Sequence, residues 1–171
     1  MPFQSQDSPL GAFLKALGEE KIDCILIGAM AAIEQGAPLM TVDYDFWVRL
    51  PERQYVRLLT IVHRQGGTIR ARTLYELSDS TQVNAIFQPD GLRSFDAEWR
   101  ISRWGALEKV AVKILPLHRV IASKRAANRE KDRAVLPILR RTLRLARRLT
   151  ERSGQARASS KRRKRNPPKA P

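Results

Sequence analysis

The chain has 171 residues, enough for one domain and short for two, and carries 32 Lys plus Arg against 17 Asp plus Glu, a net charge of +15. Its single cysteine, Cys24, excludes an intramolecular disulfide framework, and the longest apolar run, Cys24 to Ile33, is about half of the ~20 residues that cross a bilayer. With no secretory leader read at the amino terminus, the composition predicts a soluble, cytoplasmic protein without a membrane partner.

Ser8-Pro9 reads as an N-cap followed by proline at the first helical position, and Leu10, Phe13, Leu14 and Leu17 recur at helical spacing up to Gly18. Cys24-Ile25-Leu26-Ile27 then reads as a buried strand. Gly28 stands where this strand turns into a short helix over residues 29–35. A glycine there lets a phosphate approach the backbone, which makes Gly28 and Ala29 candidates for nucleotide binding.

Gly36-Ala37-Pro38 closes that helix and leads to a strand from Asp43 to Arg49. Alternate side chains of a strand share a face, so Asp43 and Asp45 point together while Tyr44, Phe46 and Val48 point the other way. Two carboxylates so close repel unless a cation lies between them, and hard oxygen ligands on a rigid strand suit Mg²⁺.

Pro51 opens a third helix, with Tyr55, Leu58, Leu59 and Val62 on its apolar side and Gly66-Gly67 at its end. Residues 68–77 and Val83 to Phe87 alternate as strands, the second ending before Pro89-Asp90-Gly91. The segment Ile101 to Leu115 predicts two strands around a turn at Gly105. Strands and helices in this order predict an α/β (α+β) fold, a mixed sheet covered by helices mainly on one side.

From Leu117 the chain reads as helical. At 100° per residue, Leu117, Val120 and Ile121 define an inward stripe that includes Lys124, with Arg119 nearly opposite. Asn128 suits a left-handed helix end, and a last helix begins near Glu130 with Asp132 on its inward side beside Leu136, Leu139, Leu143 and Ala146. Its outward side collects Arg133, Arg140, Arg144, Arg147 and Arg148, with Pro137 among them. The domain is expected to span residues 1–151. Residues 152–171, with no apolar side chain larger than alanine and the run Lys161, Arg162, Arg163, Lys164, Arg165, are expected to form a disordered basic tail.

Residues 119–171 hold net +16 and residues 1–118 net −1, so the positive field comes from the last third. This predicts an anionic partner, RNA or DNA, bound by Arg140, Arg144, Arg147, Arg148 and the basic run through salt-sensitive phosphate contacts. His63 and His118 lack metal-ligand spacing, and Trp47, Trp99 and Trp104 are read as packing residues.

The Gly28 turn before Asp43-Tyr44-Asp45 resembles the nucleotidyltransferase fold, closest to the minimal nucleotidyltransferases and the AbiEii-type toxin family. Ile121-Ala122-Ser123-Lys124-Arg125-Ala126-Ala127-Asn128-Arg129-Glu130-Lys131-Asp132 is similar to the Ile-Ala-Ser-Lys-x-x-x-Gly-Arg-x-Lys-Asp block of small bacterial members. The resemblance covers residues 20–145. It implies transfer of a nucleotidyl group from a nucleoside triphosphate, with Mg²⁺ on Asp43 and Asp45, Lys124 and Arg129 on phosphates, and Asp132 in the catalytic set. It also implies a toxin-like role, a cognate antitoxin and tRNA or another RNA as acceptor.

One position departs from the family pattern. A third carboxylate usually follows valine on a later strand, and here Val83 is followed by Asn84, a neutral metal ligand at best and a poor general base. A two-carboxylate enzyme, a weakened one and a nucleic-acid-binding relative without catalysis all remain open. Lys124 and Asp132 read equally as a structural ion pair joining two helices.

Overall fold

The computed structural model describes residues 7–165, with side-chain surroundings described as far as residue 154. Its core is a seven-stranded mixed sheet flanked by helices. β1 (Cys24–Ile27) and β2 (Asp43–Val48) form the central antiparallel pair. β5 (Gln82–Ile86) runs parallel to β2, and β7 (Val110–Ile114) runs parallel to β1. The order is β3 (Thr68–Ile69), β4 (Leu74–Glu76), β5, β2, β1, β7, β6 (Arg103–Leu107).

Successive residues of β2 serve opposite faces. Phe46 is buried under Phe13 of α1 (Pro9–Glu19), ring centroids 6.5 Å apart, whereas Trp47 meets Phe95 of α4 (Phe95–Ile101) at 5.2 Å. The sheet is therefore covered on both sides, not mainly on one. α1 begins as its sequence predicts, with the Ser8 hydroxyl accepting from Gly11 N. α3 (Val56–Arg64) packs against α1, preceded by a 3-10 turn over Glu52–Gln54 that interrupts the helix expected from Pro51 onward.

Three further expectations are corrected. Residues 68–77 form the hairpin β3–β4 instead of one strand, with Arg70 and Ala71 N–H groups both bonded to Leu74 O. The turn between β6 and β7 lies at Glu108-Lys109, both with positive φ (47° and 66°), closed by the pair Leu107 and Val110. Gly105 is inside β6, where a Cβ would collide with the Ile114 side chain. Finally, α4 is a helix that the sequence reading did not foresee, capped by Ser94, whose hydroxyl accepts from Ala97 N.

α5 (Leu117–Ala127) buries Leu117, Val120 and Ile121, and ends at Asn128 in the left-handed conformation (φ 50°). α6 (Glu130–Arg165) buries Asp132, Leu136 and Leu139, while Ala146 of the expected inward stripe is exposed. Past residue 151 its backbone runs as helix to Arg165. Arginine, lysine, alanine and glutamine are good helix formers, and no proline intervenes before Pro167. Residues 166–171 lie outside the described residues. Cys24 packs half-buried against the core, and its thiol is pushed up to about 12 by burial and by Asp23, which favours the protonated form.

Candidate functional site

β2 delivers the two aspartates side by side. Its parallel partner β5 sets Gln82 opposite Asp43 and Asn84 opposite Asp45, and its antiparallel partner β1 sets Ile27 opposite Asp45. The next residue, Gly28, begins α2 (Gly28–Ile33) with φ 69°, and a Cβ there would run into Asp45 Oδ2. Glycine is thus required twice over, for the left-handed backbone and for the closeness of the carboxylate. The first N–H groups of α2 have no partner within the helix and open beside that carboxylate.

The two acids differ in their surroundings. Asn84 Nδ2 donates to Asp45 Oδ1 at 2.9 Å. Burial pushes the Asp45 carboxyl up, the Asn84 hydrogen bond pulls it down, Asp43 pushes it up again, and Lys124 and Lys131 pull it down, leaving it raised overall. Asp43 Oδ1 is buried without any hydrogen-bond partner. A buried carboxylate oxygen in that state is costly unless a cation or donor completes it.

This donor set fits Mg²⁺. Two carboxylates on one face and one orphaned oxygen match an ion that takes one or two protein carboxylates and leaves its other positions to phosphate and water. The Asn84 amide nitrogen is turned to Asp45 Oδ1. Asp79 accepts from Thr81 N, and Asp90 pairs with Arg129 at 3.6 Å. Among the described residues no three His, Cys, Asp or Glu side chains gather as a metal cluster.

Lys124 lies on the inward side of α5, as its phase predicts, and bonds Asp132 Oδ1 at 2.9 Å. Asp132 is buried and its Oδ2 has no partner. Lys124 and Lys131 both act electrostatically to lower the Asp45 carboxyl. Arg129 is exposed at the surface with Asp90. Arg140, Arg144, Arg147 and Arg148 are exposed along α6, and Lys161, Arg162, Arg163, Lys164 and Arg165 lie beyond the described side chains.

Two positioning features escaped the sequence. Gln35 Nε2 donates to Ala31 O and Leu115 O at 2.6 and 2.9 Å, and Gln35 Oε1 accepts from Leu117 N at 2.8 Å, which ties the end of α2 to the start of α5. Glu98 of α4 is fully buried and takes Arg119 Nε and Nη2 together with Arg93 N and Nε. Burial acts to raise its carboxyl, but these donors hold it below the usual range. Arg119 is thus covered by α4 instead of facing solvent. Trp47 is buried against Phe95, which stacks with Trp99, as the packing reading expects, whereas Trp104 meets Trp99 edge-on and is 64% exposed. His118 is lowered by burial and by Arg119 and Arg147. It lines a groove of about 770 Å³ with Glu34, Trp104, Leu143, Arg147 and Glu151, separate from the aspartates.

No family model and no curated protein matches the chain by sequence. By structure it is similar to the solution structure of the antibiotic-resistance factor ANT(2″)-Ia, with TM-score 0.52 and 14% identity over 92% of this chain and 97% of that one. It is similar as well to the crystal structure of ANT(2″)-Ia in complex with adenylyl-2″-tobramycin, with TM-score 0.52 and 16% identity over 91% and 99%. The fold is nucleotidyltransferase-like. Among the described residues no helix is long and apolar enough to cross a membrane.

Proposed function

We propose that the chain is a Mg²⁺-dependent nucleotidyltransferase that moves a nucleotidyl group from a nucleoside triphosphate to an acceptor hydroxyl. The observation that carries this is the meeting of Gly28 with Asp45 beside the unsatisfied Asp43 oxygen. Gly28 and Ala29 offer backbone N–H groups to the triphosphate at the point where the carboxylates converge. Lys124, held by Asp132, supplies a point charge for its outer phosphates. The bound ion would neutralise charge on the α-phosphate as the acceptor oxygen adds and pyrophosphate departs. The adduct in the ANT(2″)-Ia complex, adenylyl-2″-tobramycin, supports nucleotidyl transfer as the reaction class.

The net +16 of residues 119–171 favours RNA, tRNA among them, as the acceptor, within the toxin-like role and the antitoxin partnership that the family resemblance implies. Labelled triphosphates, Mg²⁺ and total RNA test the proposal: label enters RNA with the wild type and not with Asp43→Ala. Label appearing on no acceptor, or equally with both proteins, overturns it.

A second reading is favoured by one observation, the Asn84 amide in the place of a third carboxylate. On it the fold binds nucleic acid without catalysis. Binding would then survive Asp43→Ala, and transfer would arise only in Asn84→Asp.

A further inference from the structure

α6 carries two apolar stripes, and the fold covers one of them. Leu136 and Leu139 are buried and Leu143 is half-buried on the inward stripe. Ile138, Leu145 and Leu149 are 37%, 50% and 63% exposed on a second stripe, about 120° around the helix at 100° per residue. With Thr142 these residues follow the alternating four- and three-residue spacing of a coiled-coil seam. Arg141 and Arg148 each precede a seam position, where a heptad places the charged residue that selects a partner, and Arg152 extends the seam.

We propose that this seam is a docking surface for an acidic amphipathic helix of a partner protein. From residue 138 to 152 the helix holds six arginines and one acid, Glu151. Among the described residues none of those arginines enters an ion pair. A helix with leucines on its seam and glutamates beside it would bury the exposed side chains and neutralise Arg141 and Arg148 together. A second copy of α6 brings more arginine to the same strip. RNA has no use for the leucines. A membrane surface calls for an apolar face of roughly 100° or more, and this seam is only about 40° wide. The stripe shares no residue with the aspartate site; Arg148 is also among the arginines expected to contact RNA, so the test reads peptide binding and not nucleotidyl transfer.

The test adds fluorescent peptides of about four heptads, leucine at the seam and either glutamate or lysine beside it, to the full-length chain and reads anisotropy. The glutamate peptide binds and the lysine peptide does not. Leu145→Gln with Leu149→Gln, both at exposed positions, weakens binding about tenfold or more. Arg141→Glu with Arg148→Glu reverses the peptide preference. Equal binding of both peptides overturns the proposal, as does glutamate-peptide binding that ignores the leucine changes. So does a dimer of the chain in sedimentation, or uptake on phosphatidylserine vesicles, that the same leucine changes abolish.

Discussion

Gly28 and Asp45 are packed so closely that the space a Cβ would take at Gly28 is already filled by Asp45 Oδ2. The glycine is in the left-handed region at φ 69°, so the backbone and the carboxylate make the same demand. Gly28→Ala therefore strains the turn and displaces the acid. Label transfer should fall about 100-fold, as misplacement by an ångström does, and stability by about 1–2 kcal/mol in urea. Wild-type transfer in this variant would separate the bend from the chemistry.

Asp45→Asn should abolish transfer and yet stabilise the fold at pH 7, measured in EDTA. The carboxyl is raised by burial and by Asp43, so ionising it weakens the folded state. The advantage of asparagine is full above the raised folded value. It disappears as pH falls toward about 3.9, the unfolded carboxyl value, because the wild-type acid is then neutral too. A gain in Tm on the order of 2–4 °C at pH 7 that vanishes near pH 4 is expected. A variant less stable than wild type at pH 7 would show that Asp45 is a structural anion.

Asn84→Asp replaces an amide that donates to Asp45 Oδ1 with a third anion. Without divalent ions the variant should lose about 1–3 kcal/mol, from a broken hydrogen bond and added repulsion. Mg²⁺ should restore more stability to it than it gives the wild type. Thermal melts with and without Mg²⁺ read both, and equal Mg²⁺ responses would place residue 84 outside the ion's reach.

Lys124→Met leaves Asp132 with neither buried oxygen paired, since Oδ2 already has no partner. Removing one member of a buried pair costs about 3–5 kcal/mol. Lys124→Met with Asp132→Asn should recover most of that stability in urea unfolding and none of the transfer. Recovery of both would reduce the pair to a structural bridge between α5 and α6.

The aspartate pair was legible because strand alternation has a period of two, and Gly28 because a glycine at a strand-to-helix junction has few other reasons to be there. Lys124 was legible from helical phase against Leu117, Val120 and Ile121. α4 was not: in a seven-residue helix Phe95 and Trp99 complete a single spacing, too little to show a period. Glu98 reads as a solvated charge until Arg119, 21 residues onward, is brought against it. The β6–β7 turn was misplaced because a glycine is the usual turn signal, whereas here Glu108 and Lys109 take the positive φ and Gly105 makes room for Ile114. Gln35 joins elements 80 residues apart, a relation no local pattern carries.

Calorimetric titration of each nucleoside triphosphate, with and without Mg²⁺, into the wild type and into Asp43→Asn with Asp45→Asn tests the site most directly. The account predicts binding that requires Mg²⁺ and is lost in the double variant. Triphosphate binding of equal strength in both proteins, indifferent to Mg²⁺, would contradict it.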